Sequence, residues 1–178
     1  NNALTAASGR KVVLLAGTYI ADATILVPNN TTMQGVGKGT VIEFADIDAT
    51  DNLIENSDTS TGTGVTIRDM KVDGRSDLNT VGQQRGIQFT GMGGSAGSSA
   101  RRGGIIHNVD VVRFSEMGIM LNDVNNNEVS TVKLNNNQVG IYLSASSYNT
   151  VSNSIMQGNT NDGIGIITNS NGNTFNNN

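Results

Sequence analysis

Three segments of this chain share one pattern at one spacing, and that repeat limits the fold more than any other feature. Gly118-Ile119-Met120-Leu121, Gly140-Ile141-Tyr142-Leu143 and Gly163-Ile164-Gly165-Ile166 follow one another at intervals of 22 and 23 residues. A second marker follows each: Asn127-Glu128-Val129, Asn149-Thr150-Val151 and Asn173-Thr174-Phe175, at intervals of 22 and 24. Within each marker apolar residues alternate with others, as on a strand with one buried face. Ile119, Ile141 and Ile164 are expected in one inward column and Leu121, Leu143 and Ile166 in the next, with Met120, Tyr142 and Gly165 pointing out. Strands this short, joined by Asn-rich corners such as Asn125 to Asn127 and Asn135 to Asn137, make coils of about 22 residues. That is the period of a parallel β-solenoid.

The pattern runs backwards more loosely. Gly86-Ile87-Gln88-Phe89 fits the first marker, 32 residues before Gly118. The surplus of about ten residues is Gly91 to Gly104, mostly Gly and Ser, which reads as a flexible excursion. Ile67 to Val72 aligns with Ile106 to Val111, and residues 73–85 form a second excursion. Val12 to Phe44 holds three more apolar bursts. The expectation is an all-β, right-handed, single-stranded parallel β-helix of roughly seven coils, near 35 Å long at about 4.8 Å per coil. It is one domain, residues 1–178, with a cap remnant at 1–8 whose Leu4 plugs the end, and coils at 9–178. The last segment stops mid-coil, so the chain reads as a fragment of something longer. The same register stacks Asp69, Asn108, Thr131 and Asn153, and places Lys71, Asp110 and Lys133 in a column of alternating charge.

Composition agrees with a thin core. Hydrophobic residues are 36% of the chain and aromatics 4%, while Asn and Gly number 25 and 22. At 15% charged and net −4, self-repulsion is too weak to hold such a chain open, so its apolar residues must be used in regular columns. Without cysteine there is no disulfide framework. The pI near 4.8 argues against nucleic acid as a partner, and no apolar run approaches the roughly 20 residues of a membrane span.

Lys11-Val12-Val13-Leu14-Leu15-Ala16-Gly17-Thr18-Tyr19, followed by Ile25 to Gly37, resembles the opening of pectate-lyase-like β-helix proteins. The later coils resemble the repeats of mannuronan C5-epimerases, polygalacturonase-like enzymes, phage tailspikes and surface proteins. The resemblance implies an extracellular, cell-surface or virion setting and an acidic polysaccharide or cell-surface glycan as partner. It carries over no catalytic residue. The epimerases' Asp-Pro-His-Glu motif is missing, since the only proline is Pro28 and the only histidine His107, and the polygalacturonase motifs are missing too.

Uronate chemistry by β-elimination needs a cation to neutralise the substrate carboxylate and a base to take the C5 proton. The two excursions, read as leaving one side of consecutive coils, carry Asp73, Arg75, Asp77, Arg85, Arg101 and Arg102. Arg101 with Asp73 or Asp77 is a candidate pair, and outward-facing His107 a third candidate for catalysis. Arg75, Arg85, Arg101 and Arg102 are expected to contact an anionic polymer. Gln88, Met120 and Tyr142 form an outward column suited either to sugar rings or to a neighbouring chain in a fibre or trimer. No cofactor is expected. Calcium on acidic side chains is conceivable, but there is no Asp-x-Asp-x-Asp run, and Asp162-Gly163 and Asp51-Asn52 read as turns. Three functions stay open: a lyase-, hydrolase- or epimerase-like domain, a non-catalytic structural module, or a glycan-binding module.

Overall fold

Apolar alternation on short strands leaves one way to bury the inward side chains, which is to stack each coil on the next. The structure is a computed structural model and describes residues 2–45, 51–76, 83–93 and 103–178. It is a right-handed parallel β-helix in which the paired strands run parallel. The longest stack has seven layers, from Lys11–Val13 through Thr32–Gln34, Thr66–Asp73, Ile105–Val112, Glu128–Ser130 and Thr150–Ser152 to Thr174–Asn176. A six-stranded sheet lies opposite, running Ile25–Val27, Asn52–Asn56, Arg85–Thr90, Met117–Asn122, Val139–Ser144, Asp162–Ile167. The helix Asn2–Ala6 caps the first coil, with Leu4 buried against it.

The inward columns follow the repeat. Ile25, Ile54, Ile87, Ile119, Ile141 and Ile164 are register partners in succession. The four from Ile54 to Ile141 are fully buried. Ile164 is only half-buried and Ile166 is 47% exposed, against the expectation of burial. Both stand on the last strand of their sheet, where no further layer covers them.

Corners are where the Asn and Gly are used. Asp69, Asn108, Thr131, Asn153 and Asn177 all have φ between 51° and 58°. The expected column is therefore a line of left-handed bends, and each turns the chain between two strand segments. Asn and Asp tolerate that conformation and Thr does not. Hydrogen bonds between side chains join this column at two steps, Asn108 Nδ2 to Asp69 Oδ1 at 2.7 Å and Asn177 Nδ2 to Asn153 Oδ1 at 3.4 Å. A buried ladder stands elsewhere, in the second marker. Asn149 Oδ1 accepts from Asn127 N and Nδ2, both at 2.9 Å, and Asn173 Oδ1 accepts from Asn149 N and Nδ2 at 2.9 and 3.1 Å.

Other expectations need correction. Lys71, Asp110 and Lys133 are register neighbours, but they do not pair with one another. Lys71 reaches along its own strand to Asp73 at 2.8 Å, and Asp110 is taken by Lys38 at 2.9 Å. Asp73 and Arg85 are not loop residues, since each ends or begins a strand. The excursions do not leave one side. One enters the strand Arg85–Thr90 and the other leaves it, so they meet the six-stranded sheet at opposite ends of that strand. Asp162 and Asn52 likewise open strands rather than turns.

Candidate functional site

The outward face of the six-stranded sheet gathers most of the predicted binding residues. Glu55, Gln88, Met120, Tyr142 and Gly165 are consecutive register partners down its middle. Period-two alternation puts them outward because Ile54, Ile87, Ile119 and Ile141 point in. At the upper part, Arg85 Nε lies 2.6 Å from Glu116 Oε2, a charge contact without the alignment of a hydrogen bond. Arg85 also donates to Gln88 Oε1 at 3.3 Å, and Gln88 Nε2 donates to Glu55 Oε1 at 3.4 Å and Thr90 Oγ1 at 3.0 Å. Asn52 Nδ2 donates to the other oxygen of Glu55 at 3.2 Å. Gln88 was expected to be open to solvent, but this network leaves it 8% exposed.

Lower on the face the surface turns apolar. Met120 and Tyr142 are half-buried. The Tyr142 ring meets Gly165 with its Cδ2–Cε2 edge, and a Cβ there would come within 2.7 Å of Cδ2. Only glycine at 165 leaves room for that edge. The face thus runs from a charged, amide-rich end with two carboxylates to an aromatic platform.

Asp73 sits apart from this face, and its surroundings bear on its candidacy as a base. Its side chain is fully buried, and its carboxylate receives Arg113 Nε and Nη2, both at 2.8 Å, Lys71 Nζ at 2.8 Å and Arg75 N at 3.1 Å. Burial pushes its carboxyl up, but the hydrogen bonds from Arg113, Lys71 and the Arg75 backbone outweigh it and hold it below the usual carboxylate range. A carboxylate so occupied acts as a counter-ion. Arg75 itself is half-buried at φ 54°. Asp77, Arg101 and Arg102 lie outside the described residues.

His107 faces outward from the other sheet and is half-buried, in register with Arg68 and Ser130. Its Nδ1 is 3.0 Å from Ser130 Oγ, and that hydroxyl donates to Glu128 Oε1 at 2.9 Å. With the hydroxyl proton on Glu128, His107 Nδ1 is the donor to Ser130. A serine nucleophile needs the reverse order, with histidine between hydroxyl and carboxylate. Beside this row, Asp69 is held below the usual range. Burial raises it, and hydrogen bonds from Asn108 and Arg68, with the charges of Arg68 and His107, more than offset that.

Glu55, Glu116 and Asn52 escaped the sequence reading. The signal was present: Asn52-Leu53-Ile54-Glu55-Asn56 aligns with Arg85-Gly86-Ile87-Gln88-Phe89, with Ile54 on Ile87. The 33-residue interval hid it.

Among solved structures, the mannuronan C-5 epimerase AlgE6 A-module of Azotobacter vinelandii is 23% identical with a TM-score of 0.83, covering 98% of this chain and 48% of that one. The chain thus spans about half of that structure's length. The AlgE4 A-module of the same organism is 19% identical with a TM-score of 0.65, covering 98% and 61%. A candidate glycosyl hydrolase from Parabacteroides merdae is 14% identical with a TM-score of 0.70, covering 98% and 84%. At these identities the likeness establishes the fold. No curated protein matches the chain. The sequence model of the NosD family, described as periplasmic copper-binding protein (NosD), matches residues 3–178, and the chain belongs to that family.

Proposed function

We propose that this domain works outside the cytoplasm and binds an extended polysaccharide along the outward face of its six-stranded sheet. The observation that carries the reading is the half-buried Tyr142 ring, set against Gly165 in line with Met120 and the Gln88–Glu55–Arg85–Glu116 network. A flat aromatic ring offers a pyranose its apolar face, and amides and carboxylates beside it receive the hydroxyls. Arg85 is the described cation on this face that can meet a uronate carboxylate, by exchanging Glu116 for it. The carbohydrate-active structures that share the fold support a saccharide as ligand, and the family description supports a periplasmic setting. Among the described residues no helix is long and apolar enough to cross a membrane.

The copper in the family description does not fit the donors of this chain. There is one histidine and no cysteine. Among the described residues no three His, Cys, Asp or Glu side chains gather in one place. Of the six methionines, Met33, Met70 and Met92 are buried in the core and Met117, Met120 and Met156 are half-buried, while His107 Nδ1 is engaged by Ser130. Calcium has no better cluster there.

The test is titration of alginate, pectate and neutral glucan oligomers into the wild type and Tyr142→Ala. Binding of one of these polymers, weakened tenfold or more in Tyr142→Ala and reduced by salt for the acidic ones, is the expected result. Absence of binding by all three, or equal binding by the variant, refutes the site and favours a purely structural rod. Self-association would then show as a concentration-dependent mass in solution.

A further inference from the structure

On the other sheet a cleft of about 320 Å³ opens between successive coils, lined by Asn126, Asn127, Glu128, Tyr148 and Thr150. It belongs to neither the face described above nor the core. Three features make it more than a surface dent. First, Tyr148 stands at a left-handed bend, φ 58°, and its ring leans onto Gly172 of the next coil, where a Cβ would lie 2.8 Å from Cε1. The ring is 50% exposed and lines the cleft. Second, Glu128 is held by one oxygen only. Its Oε1 accepts from Ser130, itself braced by His107, and among the described residues its Oε2 has no partner. Third, Asn127 is fixed in the buried asparagine ladder, so the floor of the cleft is rigid.

We propose that this cleft binds a protonated amino group carried on a sugar ring, as in a glucosamine unit. An ammonium group is attracted to the negative face of an aromatic ring and pairs with a fixed carboxylate, and Tyr148 and Glu128 supply both within one cleft. Thr150 and Asn126 supply polar atoms for the ring hydroxyls. This site is independent of the polysaccharide face and stands if that reading fails.

The experiment is calorimetric titration of the whole domain, near pH 6, with a glucosamine trimer, its fully N-acetylated counterpart and Nα-acetyl-lysinamide. The glucosamine trimer should bind and the acetylated trimer should bind at least tenfold more weakly. Glu128→Gln should lose tenfold or more, and Tyr148→Ala about fivefold, with Tyr148→Phe near wild type because the ring rather than the hydroxyl acts. The same titrations in a Tyr142→Ala background, where the polysaccharide face is disabled, should keep the preference for the glucosamine trimer and its loss in Glu128→Gln, which separates the two sites. Circular dichroism of each variant confirms the fold. Equal affinity for the acetylated trimer, or wild-type affinity in Glu128→Gln, overturns the ammonium site. Binding of Nα-acetyl-lysinamide as tight as that of the glucosamine trimer overturns the saccharide as its bearer.

Discussion

Asn149→Ala is the substitution that most directly tests how this solenoid holds its corners. Asn149 is 1% exposed and uses its amide fully. Its Oδ1 accepts from Asn127 N and Nδ2, and its Nδ2 donates to Val124 O at 3.1 Å and to Asn173 Oδ1 at 3.1 Å. Alanine would strand one buried backbone group, the Asn127 N–H, because the Val124 carbonyl keeps the Ser147 N–H at 3.2 Å. The Asn127 amide keeps its bond to Asn125 O, and Asn173 Oδ1 keeps the Asn149 N–H. At about 1–3 kcal/mol for a stranded buried group, that is the loss expected. Asn153→Gly is the comparison. That side chain is exposed at φ 52°, a conformation glycine adopts freely, so the change should stay within about 0.5 kcal/mol. Chemical denaturation followed by circular dichroism measures both. Hydrogen exchange adds a local readout, because the Asn127 amide should lose protection in Asn149→Ala. A loss below about 1 kcal/mol, or an unchanged Asn127 amide, would mean that water replaces the ladder and that its burial contributes little.

Ile141→Ala should cost roughly 2–5 kcal/mol, because the cavity would open between Ile119 and Ile164 in the column; a melting shift under one degree would refute its place in the core. Thr131→Asn should stabilise by about 0.5–1 kcal/mol, since a β-branched residue at φ 57° is strained where asparagine is not, and a lower melting temperature would refute this. Asp73 contributes stability above its unfolded pKa, near 4, that is lost as pH falls through its depressed folded value. Asp73→Asn should therefore flatten the acid limb of the stability profile. It should also cost about 1–3 kcal/mol at neutral pH, below the roughly 3–5 kcal/mol of a fully buried pair, because Lys71 and Arg113 are about one-third exposed. An acid limb as steep as that of the wild type would show that other carboxylates carry it.

Legibility in the sequence followed the regularity of the coils. From Gly118 onward the 22-residue period fixes register to the residue, so Ile119 and Ile141 are buried and Tyr142 faces out as expected. Where loops intervene, the period fails and pairing must be decided by contacts far apart in the chain. The strand Asn52–Asn56 was missed on that account, and with it Glu55. Charge pairing was the least legible. Alternating signs in a column predict ion pairs between coils, yet Lys71 found Asp73 two residues away and Asp110 found Lys38. Long side chains choose partners over several ångströms in directions that register does not set. Equally, the Asn markers announced corners, but not which ones would be buried. Asn127 and Asn149 turned inward, while Asn153 stayed in solvent.

Those same corners and columns explain how a chain with only three tyrosines can present two aromatic surfaces. A parallel solenoid sets successive side chains about 4.8 Å apart, too close for a large ring to lean onto an ordinary neighbour. Glycine in the next coil removes the obstacle. Tyr142 leans against Gly165 on one sheet, and Tyr148 against Gly172 at a bend bordering the other. The two pairs are separate in the structure and share one physical requirement. Gly165→Ala should lift the Tyr142 ring without touching the buried column, because Gly165 is an outward position in register with Tyr142. If polysaccharide binding depends on where that ring sits, Gly165→Ala should weaken it nearly as much as Tyr142→Ala while leaving the melting temperature within a few degrees of wild type. Full binding by Gly165→Ala would show that the ring's posture is incidental, and that whatever the face recognises is recognised by its polar end alone.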